Sequence, residues 1–364
     1  MKMTCVIETR IPSLRDSIIR FAQTVPGVTM QEAGWTGDES VDIPTLFRRI
    51  ETEGPDGEEI PSAFTDNPDT EILVGSFCPF AGKGMDVFDN LHLIGVIRAG
   101  MENIDIKAAT VRGIAVINAG GRNADAVSDF TIGMMLSEAR NIARAHHSVA
   151  SGGWQEDFSS SATTPDMRGK TVALFGFGYI GKLMAEKLSG FHVHLIAYDP
   201  YVDPDVLRQY GVTSVDKETL FKEADFLSIH ARLTDDTYHI VGRAELESMK
   251  PTAYFINTAR AGLVDYSALY DVLKDKKIAG AALDVFDNEP LAADDPFRSL
   301  DNVTLTTHRA GSTIDATNNS PRLIFERIRN LIAGKQTEGF VNPQVLENPA
   351  FLAWREKAKV QMGL

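Results

Sequence analysis

The fold is decided by residues 170–188, which read KTVALFGFGYIGKLMAEKL. Residues 172–175 form an apolar run that predicts a buried strand. The glycines that follow have the spacing G-x-G-x-x-G, at Gly176, Gly178 and Gly181. The residues after the last glycine favour a helix, so strand, glycine turn and helix come in that order. An open parallel sheet typically carries this arrangement in its first βα unit.

Each of the three glycines has a physical reason. Gly176 permits a tight turn, Gly178 lets a pyrophosphate approach the backbone, and Gly181 lets the helix pack closely on the strand. Amide groups at the start of the helix then hold the phosphates. The alternative is an ordinary glycine turn without a ligand, which the order of the elements disfavours. The pattern therefore predicts a dinucleotide site.

An acidic residue stands where a dinucleotide site needs one. A second apolar run, at residues 194–198, ends at Asp199, 23 positions after Gly176. A carboxylate at this distance accepts a hydrogen bond from the ribose 2′-hydroxyl and repels a 2′-phosphate. Pro200 and Tyr201 supply no cation that would offset this repulsion. The sequence therefore predicts NAD, rather than NADP, as the cofactor.

Length and composition indicate the class of the fold. The chain has 364 residues, more than one hydrophobic core usually supports, so two domains are expected. Short apolar runs alternate with helix-period segments, which predicts the α/β class with mostly parallel sheets. In the first third, a flavodoxin-like layer structure is predicted from a helix at 13–23 and strands at 4–8, 28–31, 71–75, 92–98 and 114–118.

Charge and cysteine content limit the partners. The formal net charge of −14 would repel phosphate backbones and anionic lipids, so neither nucleic acid nor a membrane is expected as a partner. Cys5 and Cys78 are too few for a disulfide framework and lack metal-ligand spacing, so no metal site is expected. No stretch has the composition of a signal peptide or a membrane span. The expected location is the cytoplasm.

Three ionisable residues follow three later strand candidates. Arg260 comes after the strand at 253–258, Glu289 after the strand at 279–285 and His308 after the strand at 303–307. Parallel strands end at one edge of their sheet, and open α/β sheets bind ligands at that edge. We therefore expect the three side chains to converge there, although each taken singly would be an ordinary surface or structural residue.

The three residue types suit the reduction of a 2-keto acid. A planar guanidinium, Arg260, can bind the carboxylate through two parallel hydrogen bonds and polarise the carbonyl. An imidazole, His308, can donate the proton that the carbonyl oxygen gains as hydride reaches its carbon. A carboxylate, Glu289, on the other ring nitrogen fixes the tautomer and favours the protonated ring. The predicted activity is the interconversion of a 2-hydroxy acid and a 2-keto acid.

Four motifs resemble those of the D-2-hydroxyacid dehydrogenase family. They are the glycine turn with Asp199, INTAR at 256–260, ALDVFDNEP at 282–290, and Thr307-His308. The likeness runs from residue 94 to residue 342 and is closest to the phosphoglycerate dehydrogenase branch. Small departures are Ala261 for the usual glycine, Thr307 for the usual proline, and His230-Ala231-Arg232-Leu233 for His-x-Pro-Leu. None of them removes a reactive group.

The resemblance implies roles for individual residues. Arg260, Glu289 and His308 correspond to the family's catalytic residues, and the D stereochemistry is inherited from the family. The implied cofactor contacts are Gly176, Phe177, Gly178, Tyr179, Ile180, Gly181, Asp199, His230, Thr258, Ala259, Arg260, Asp284 and His308. The expected substrate contacts are Ser76, Phe77, Gly100 and Arg260.

The resemblance also implies an architecture of two domains. Residues 1–122 and 316–364 would form a discontinuous, flavodoxin-like substrate-binding domain. Residues 123–315 would form the NAD-binding Rossmann domain, with a hinge near Gly120 and Gly121. The family commonly forms dimers through the cofactor domain, so a homodimer is expected.

The loop after the third predicted strand bears on the substrate. Phosphoglycerate dehydrogenases typically carry a basic residue there, whereas this chain reads Gly75-Ser76-Phe77-Cys78-Pro79-Phe80. We hypothesise a pocket with Phe77, Cys78 and Phe80 at its rim, which favours an unphosphorylated, apolar 2-keto acid. Ordinary core packing of these side chains is the alternative. Feedback by serine through an additional C-terminal domain is not expected.

Other functions within the same fold remain alternatives. Formate dehydrogenases typically have glutamine where this chain has Glu289, which disfavours a formate reaction. An NAD-sensing corepressor can retain the same catalytic residues while acting as a binding protein, so these residues do not exclude it. The absence of a basic tract disfavours it. Phosphoglycerate dehydrogenase proper is the third alternative.

Overall fold

The computed structural model of the protein describes residues 1–11 and 14–364. The chain divides into two compact units, Met1–Arg122 with Ile314–Leu364, and Asn123–Thr313. Each unit contains one sheet, and every strand pair in both sheets is parallel within the described residues. The α/β class with mostly parallel sheets, predicted from the sequence, is confirmed.

The strands of the first unit are β1 (Lys2–Glu8), β2 (Thr29–Trp35), β3 (Ile72–Gly75), β4 (Leu93–Val96) and β5 (Ala115–Asn118). They lie in the order β2-β1-β3-β4-β5. The strands of the second unit are β6 (Thr171–Phe175), β7 (His194–Tyr198), β8 (Thr213–Ser214), β9 (Phe226–Ile229), β10 (Tyr254–Asn257), β11 (Gly280–Leu283) and β12 (Val303–Leu305). Their order is β12-β11-β10-β9-β6-β7-β8, so the connections reverse direction beside β6.

The helices connect the strands and cover the sheets. They are α1 (Arg15–Ala22), α2 (Ile43–Glu53), α3 (Ser62–Thr65), α4 (Gly82–Met85), α5 (Ile106–Val111), α6 (Ala124–Ala139), α7 (Ile142–Ala150), α8 (Tyr179–Leu188), α9 (Pro204–Gln209), α10 (Lys217–Glu223), α11 (Arg243–Ser248), α12 (Tyr266–Lys274), α13 (Ile314–Ile332) and α14 (Pro349–Gln361). The helix predicted at 13–23 is observed as α1, and its predicted start at Ser13 lies outside the described residues. Among the described helices, none is long and apolar enough to cross a membrane.

Alternation along β6 explains how the second sheet is buried on both faces. Ala173 and Phe175 pack in one hydrophobic cluster, and Val172 and Leu174 pack in another. Successive side chains of a strand point to opposite faces, so an unbroken apolar run is what a strand covered on both sides requires. The buried strands fix the sheet edge from which the glycine turn and the other loops extend.

Helix α13 follows the second unit in sequence but belongs to the first. It packs on β4 and β5, and a Cβ atom added at Gly95 in β4 would come within 3.0 Å of Ile324. Ile324 and Ile328 of α13 have no exposed surface. The glycine therefore lets the C-terminal helix approach the sheet closely and close the core of the first unit.

Candidate active site

The glycine turn between β6 and α8 has the geometry that a pyrophosphate needs. Gly176 has a φ of 101°, and a Cβ atom there would come within 2.8 Å of backbone atoms of His230 and Ala231. A Cβ atom at Gly181 would come within 2.6 Å of the Gly176 carbonyl oxygen. Gly178, at the start of α8, is exposed and would have open space around a Cβ atom. Two glycines permit the close packing, and the third leaves the helix start accessible.

The acid predicted to hold the ribose is fixed beside this turn. The Asp199 carboxylate accepts hydrogen bonds from the amides of Phe177, at 2.8 Å, and Tyr201, at 2.9 Å. A carboxylate has further lone pairs, so it can still accept from ribose hydroxyls. Phe177 itself contributes no side chain to the turn, because its ring is fully buried in the core. These features fit a bound NAD.

His230 lies at the end of β9, next to the glycine turn. Its ring nitrogen Nε2 lies 3.0 Å from Ser228 Oγ. The other nitrogen, Nδ1, is buried and has no hydrogen-bond partner among the described residues. Burial lowers the pKa of His230 to about 3, so the ring is neutral near pH 7. A buried polar atom without a partner beside the turn is consistent with a contact that a cofactor would complete.

The second unit brings His308 and Glu289 together. Nδ1 of His308 lies 2.8 Å from Oε2 of Glu289, although the two residues are 19 positions apart. The amide of Phe286 donates to Oε1 of Glu289 at 3.0 Å, which orients the carboxylate. An ionised carboxylate only accepts hydrogen bonds, so Nδ1 of His308 carries a proton toward Glu289. Nε2 is then left to exchange a proton with a ligand.

A buried carboxylate holds the turn that carries His308. His308 has a φ of 54°, in the left-handed region. Asp284, which has no exposed surface, accepts hydrogen bonds from the amides of Arg309, at 2.9 Å, and Ala310, at 2.8 Å. Thr306 donates its hydroxyl to the same carboxylate at 2.6 Å. The bonds of Asp284, which the sequence placed among the cofactor contacts, therefore hold the His308 turn.

Arg260 leaves the sheet edge on a loop whose backbone is fixed by Asn257. The Asn257 side chain accepts from the Ala259 amide at 3.0 Å and donates to the Arg260 carbonyl at 3.1 Å. The Arg260 guanidinium is exposed, and one of its nitrogens donates to the Ala259 carbonyl at 2.8 Å. The side chain is therefore available to a ligand on a loop that is held in place.

Tyr266 joins the loop of Arg260 to the loop of Glu289, a link for which the sequence offers no signal. Its hydroxyl accepts from Asn257 Nδ2 at 3.3 Å and donates to the Val285 carbonyl at 2.6 Å. Burial raises the pKa of the Tyr266 hydroxyl well above its ordinary range, so the proton that makes this bond is retained. The link depends on contacts between β10, β11 and α12, which only the folded sheet brings together.

Thr258, another predicted cofactor contact, is tied to α6. Its hydroxyl lies 2.7 Å from that of Thr131, which donates to the Val127 carbonyl at 2.7 Å. Since a hydroxyl has one proton, Thr131 accepts from Thr258. The lone pairs of Thr258 therefore remain available to a ligand. In the part of the chain that the structure describes, no cluster of three potential metal ligands is found.

The predicted substrate contacts of the first unit lie on loops after β3 and β4. The amides of Ser76, Phe77 and Cys78 converge on Oε1 of the buried Glu8, at 3.2, 2.7 and 3.3 Å. Burial raises the pKa of Glu8, and these amide bonds partly offset that effect. The sequence did not single out Glu8, because nothing but the fold places it under this loop. The Gly100 backbone lies close to the Glu102 carboxylate.

The hypothesis that Phe77, Cys78 and Phe80 form a pocket rim is wrong for two of the three. Cys78 and Phe80 have no exposed surface and pack in the core of the first unit. Phe77 is partly buried, stacked on Phe47 with ring centroids 3.5 Å apart. The guanidinium carbon of Arg98 lies over the Phe77 ring, 3.6 Å from its centroid. Core packing and a cation–π contact, rather than a shared pocket, explain these side chains.

A glycine turn, a ribose-type acid and a histidine–carboxylate pair thus follow strands of one parallel sheet. This fold and site define the class of Rossmann-fold, NAD-binding proteins. Residues 132–310 match the family model for the D-isomer specific 2-hydroxyacid dehydrogenase, NAD binding domain. Together with the relatives described next, this match shows that the chain belongs to the D-2-hydroxyacid dehydrogenase family.

Similar proteins include enzymes of different names. A glyoxylate reductase of Thermofilum pendens is 36% identical over 85% of this chain and 88% of its own length. A D-3-phosphoglycerate dehydrogenase of Methanocaldococcus jannaschii is 39% identical over 70% of this chain, which spans about half (48%) of that relative. The solved structure of a glyoxylate reductase from Paecilomyes thermophila has the same fold, with a TM-score of 0.73 and 23% identity over 94% of this chain and 99% of that one.

The buried imidazole of His230 should make stability depend on pH. An unfolded histidine binds a proton below about pH 6.5, whereas folded His230 stays neutral down to about pH 3. Between these values the unfolded state binds more protons, so the free energy of unfolding should fall by about 2 kcal/mol from pH 7 to pH 5. Urea unfolding of wild type and His230→Asn at both pH values measures this. Between pH 7 and pH 5, His230→Asn should lose less stability than wild type. The control His194→Asn, changed at an exposed site, should lose as much as wild type. An equal loss in all three proteins would contradict this role of His230.

Removing the Tyr266 hydroxyl should loosen both loops that it joins. We expect Tyr266→Phe to lower kcat about 10-fold, because small displacements of reacting groups are costly, with little change in the KM for the cofactor. Tyr270→Phe, on the same helix, is the matched control. Steady-state kinetics with a 2-keto acid and NADH measure both effects. A kcat for Tyr266→Phe equal to that of the control would argue against this role.

Proposed function

We propose that this protein catalyses the NAD-dependent interconversion of a D-2-hydroxy acid and its 2-keto acid. The observation that carries the proposal is the 2.8 Å contact of His308 with Glu289, which follow strands of the sheet that also bears the glycine turn. The Thermofilum pendens relative, named a glyoxylate reductase and covered over 88% of its length, supports the same class of reaction.

The reaction assigns a task to each of three side chains. Arg260 binds the carboxylate of the 2-keto acid and draws electron density from the neighbouring carbonyl. His308 gives the proton on Nε2 to the carbonyl oxygen, and Glu289 stabilises the imidazolium before that transfer. When bound, NADH supplies the hydride that reaches the carbonyl carbon. In the reverse direction His308 takes the hydroxyl proton.

The cofactor residues divide by the part of NAD that they would hold. The amides of Tyr179 and Ile180, with Gly178, would receive the pyrophosphate at the start of α8. Asp199 would accept the ribose hydroxyls and disfavour NADP. Thr258 would accept a hydrogen bond from the cofactor through the lone pairs of its hydroxyl. His230 would contact the cofactor through its buried Nδ1.

We assign the first unit to the substrate and the second to the cofactor. The second unit includes the residues that match the family's NAD-binding model. The first unit would contact the substrate through the loops of Phe77 and Gly100, which follow strands of its own sheet. The Ser76 side chain is buried and its amide is bonded to Glu8, so Ser76 would support this loop.

Loss of the imidazole should abolish most of the activity. We expect His308→Ala to lower kcat by about 10²- to 10⁴-fold, because the general acid is removed. Binding of NADH should persist, since the glycine turn is unchanged. Nicotinamide absorbance with a panel of 2-keto acids measures turnover, and NADH fluorescence measures binding. The variant His194→Ala, changed at an exposed histidine of β7, serves as the control. Full turnover by His308→Ala would rule out this mechanism, and NADH binding without turnover of any acid by wild type would favour an NAD sensor.

We also propose a homodimer formed through the second unit. Helix α7 has no buried residue, and its side chains Ile142 and Val149 are 55% and 56% exposed. They are seven positions apart, so they lie on one face of the helix. Trp154, just after α7, is 78% exposed. An apolar surface of this kind on one continuous segment is typical of a protein interface, and a second copy would cover it.

Charge on this surface should separate the subunits. We expect Val149→Asp with Trp154→Ala to shift the protein from dimer to monomer, because the charge would have to lose water at the interface. The double variant Val111→Asp with Val360→Ala is the control, since Val111 and Val360 are exposed on the first unit. Light scattering after gel filtration measures the mass. Wild type eluting as a monomer would count against this surface. A dimer that persists in the variant with Val149→Asp and Trp154→Ala would also count against it.

A cytoplasmic location is proposed from the thiols. Cys5 and Cys78 are both free and buried. Burial raises the pKa of the Cys5 thiol to about 12 and raises that of Cys78 well above its usual value, which keeps both unreactive. Reduced cysteines without disulfides fit a reducing compartment.

A further inference from the structure

Arg122 ends the loop that follows β5 in the first unit, and its side chain is largely buried. One guanidinium nitrogen donates to Ser320 Oγ at 3.3 Å. The Ser320 hydroxyl itself donates to the Ala316 carbonyl at 2.8 Å, so its oxygen is free to accept from Arg122. The Nε atom of Arg122 is buried and has no hydrogen-bond partner among residues 1–11 and 14–364. Within the same residues, Arg122 forms no ion pair.

Two other arginines of low exposure, Arg327 and Arg144, have the partners that Arg122 lacks. Arg327, on α13, donates to the carbonyls of Asn118 at 2.7 Å and Gly120 at 2.8 Å. Arg144 donates two hydrogen bonds, of 2.8 and 2.9 Å, to the buried carboxylate of Glu138. Burying a cation costs free energy unless a partner compensates it. The missing compensation at Arg122 therefore calls for an explanation.

A second cation lies near Arg122. Burial and, secondarily, the positive charge of Arg98 lower the pKa of Arg122. Arg98 is itself paired with Glu51 and packed on the Phe77 ring, so its own position is accounted for. An anion near Arg122 would relieve both the burial of its charge and the repulsion from Arg98. The guanidinium fork matches the oxygens of a carboxylate or a phosphate.

Arg122 also lies where a ligand is expected. The Ala119 amide donates to the Arg98 carbonyl at 2.8 Å, and Asn118 Nδ2 donates to the Ala99 carbonyl at 2.8 Å. The loops after β4 and β5 are thus joined, which places Arg122 near the loop of Gly100 at the carboxyl edge of this sheet. Open parallel sheets bind ligands at that edge.

We infer that Arg122 binds an anionic group, a carboxylate or a phosphate, of the ligand that the first unit receives. The inference rests on the proposed function, in which the ligand is a 2-keto acid whose 2-carboxylate is bound by Arg260. The group at Arg122 is then a second acid. The preferred substrate class is a dicarboxylic or phosphorylated 2-keto acid, contrary to the apolar substrate expected from residues 75–80.

Matched substrates test the specificity. The pairs are 2-ketoglutarate with 2-ketovalerate, and phosphohydroxypyruvate with hydroxypyruvate, which separate a carboxylate from a phosphate. In one of the two pairs, wild type should have the higher kcat/KM for the member with the second acid. Arg122→Met should lower the ratio of kcat/KM between the two members of that pair by about 10- to 100-fold, chiefly through KM, because a charge-assisted hydrogen bond is lost. Arg122→Lys should retain part of it. Arg322→Met, an exposed arginine on α13, should keep the full ratio.

Inorganic phosphate provides a readout that needs no turnover. At constant ionic strength, phosphate should raise the thermal unfolding midpoint of wild type and Arg322→Met but not of Arg122→Met. Without phosphate, Arg122→Met should be at least as stable as wild type, since an uncompensated buried charge is removed. Arg122-dependent stabilisation without turnover of any 2-keto acid would sink the proposed function and leave the anion site standing.

The anion site is overturned by either of two results. One is turnover with equal preference ratios in wild type and Arg122→Met, together with an equal response to phosphate. The other is a thermal unfolding midpoint of Arg122→Met that lies below that of wild type without phosphate and rises with phosphate as much as that of wild type. This result would show that Arg122 only supports the fold through Ser320.

Discussion

The close approach of two backbones at Gly176 is the constraint on which the second unit depends. β6 lies between β7 and β9, and the chain must turn out of the sheet directly beside the end of β9. A Cβ atom at Gly176 would come within 2.8 Å of the His230 backbone, and φ there is 101°. Any other residue would push the two strands apart or redirect α8. The helix start, the acid of β7 and the buried histidine of β9 all take their positions from this turn.

A second constraint is the chain of hydrogen bonds behind the reactive groups. Asn257 fixes the Arg260 loop and meets the Tyr266 hydroxyl, which donates to the Val285 carbonyl. The next residue, Phe286, orients the Glu289 carboxylate, and this carboxylate meets His308. Three loops that are far apart in sequence are thereby held in one arrangement. Groups held in place before the ligand arrives lose less entropy in the reaction.

The first unit shows where local sequence misleads. Residues 77–80 are apolar and follow a predicted strand, a pattern equally consistent with a pocket rim and with core packing. The folded chain buries Cys78 and Phe80 completely and places Glu8 beneath the amides of the loop. Arg122, which no sequence pattern singled out, lies at the same edge and has a buried nitrogen without a hydrogen-bond partner in the described part of the chain. Which polar groups remain uncompensated depends on packing from all sides, and no local pattern contains that information.

Local patterns in the sequence predicted the α/β class, which is confirmed, and the glycine turn, Asp199 and the three ionisable residues after the later strands. These features are local, because apolar periodicity and glycine spacing are read within one βα unit, and because parallel strands necessarily end at one edge. Three other features became apparent only in the folded chain: Asp284 holds the His308 turn, Tyr266 links two loops, and Arg122 Nε has no hydrogen-bond partner among the described residues. Each of these depends on distances between residues far apart in the chain, which are fixed when the sheet and its helices pack together.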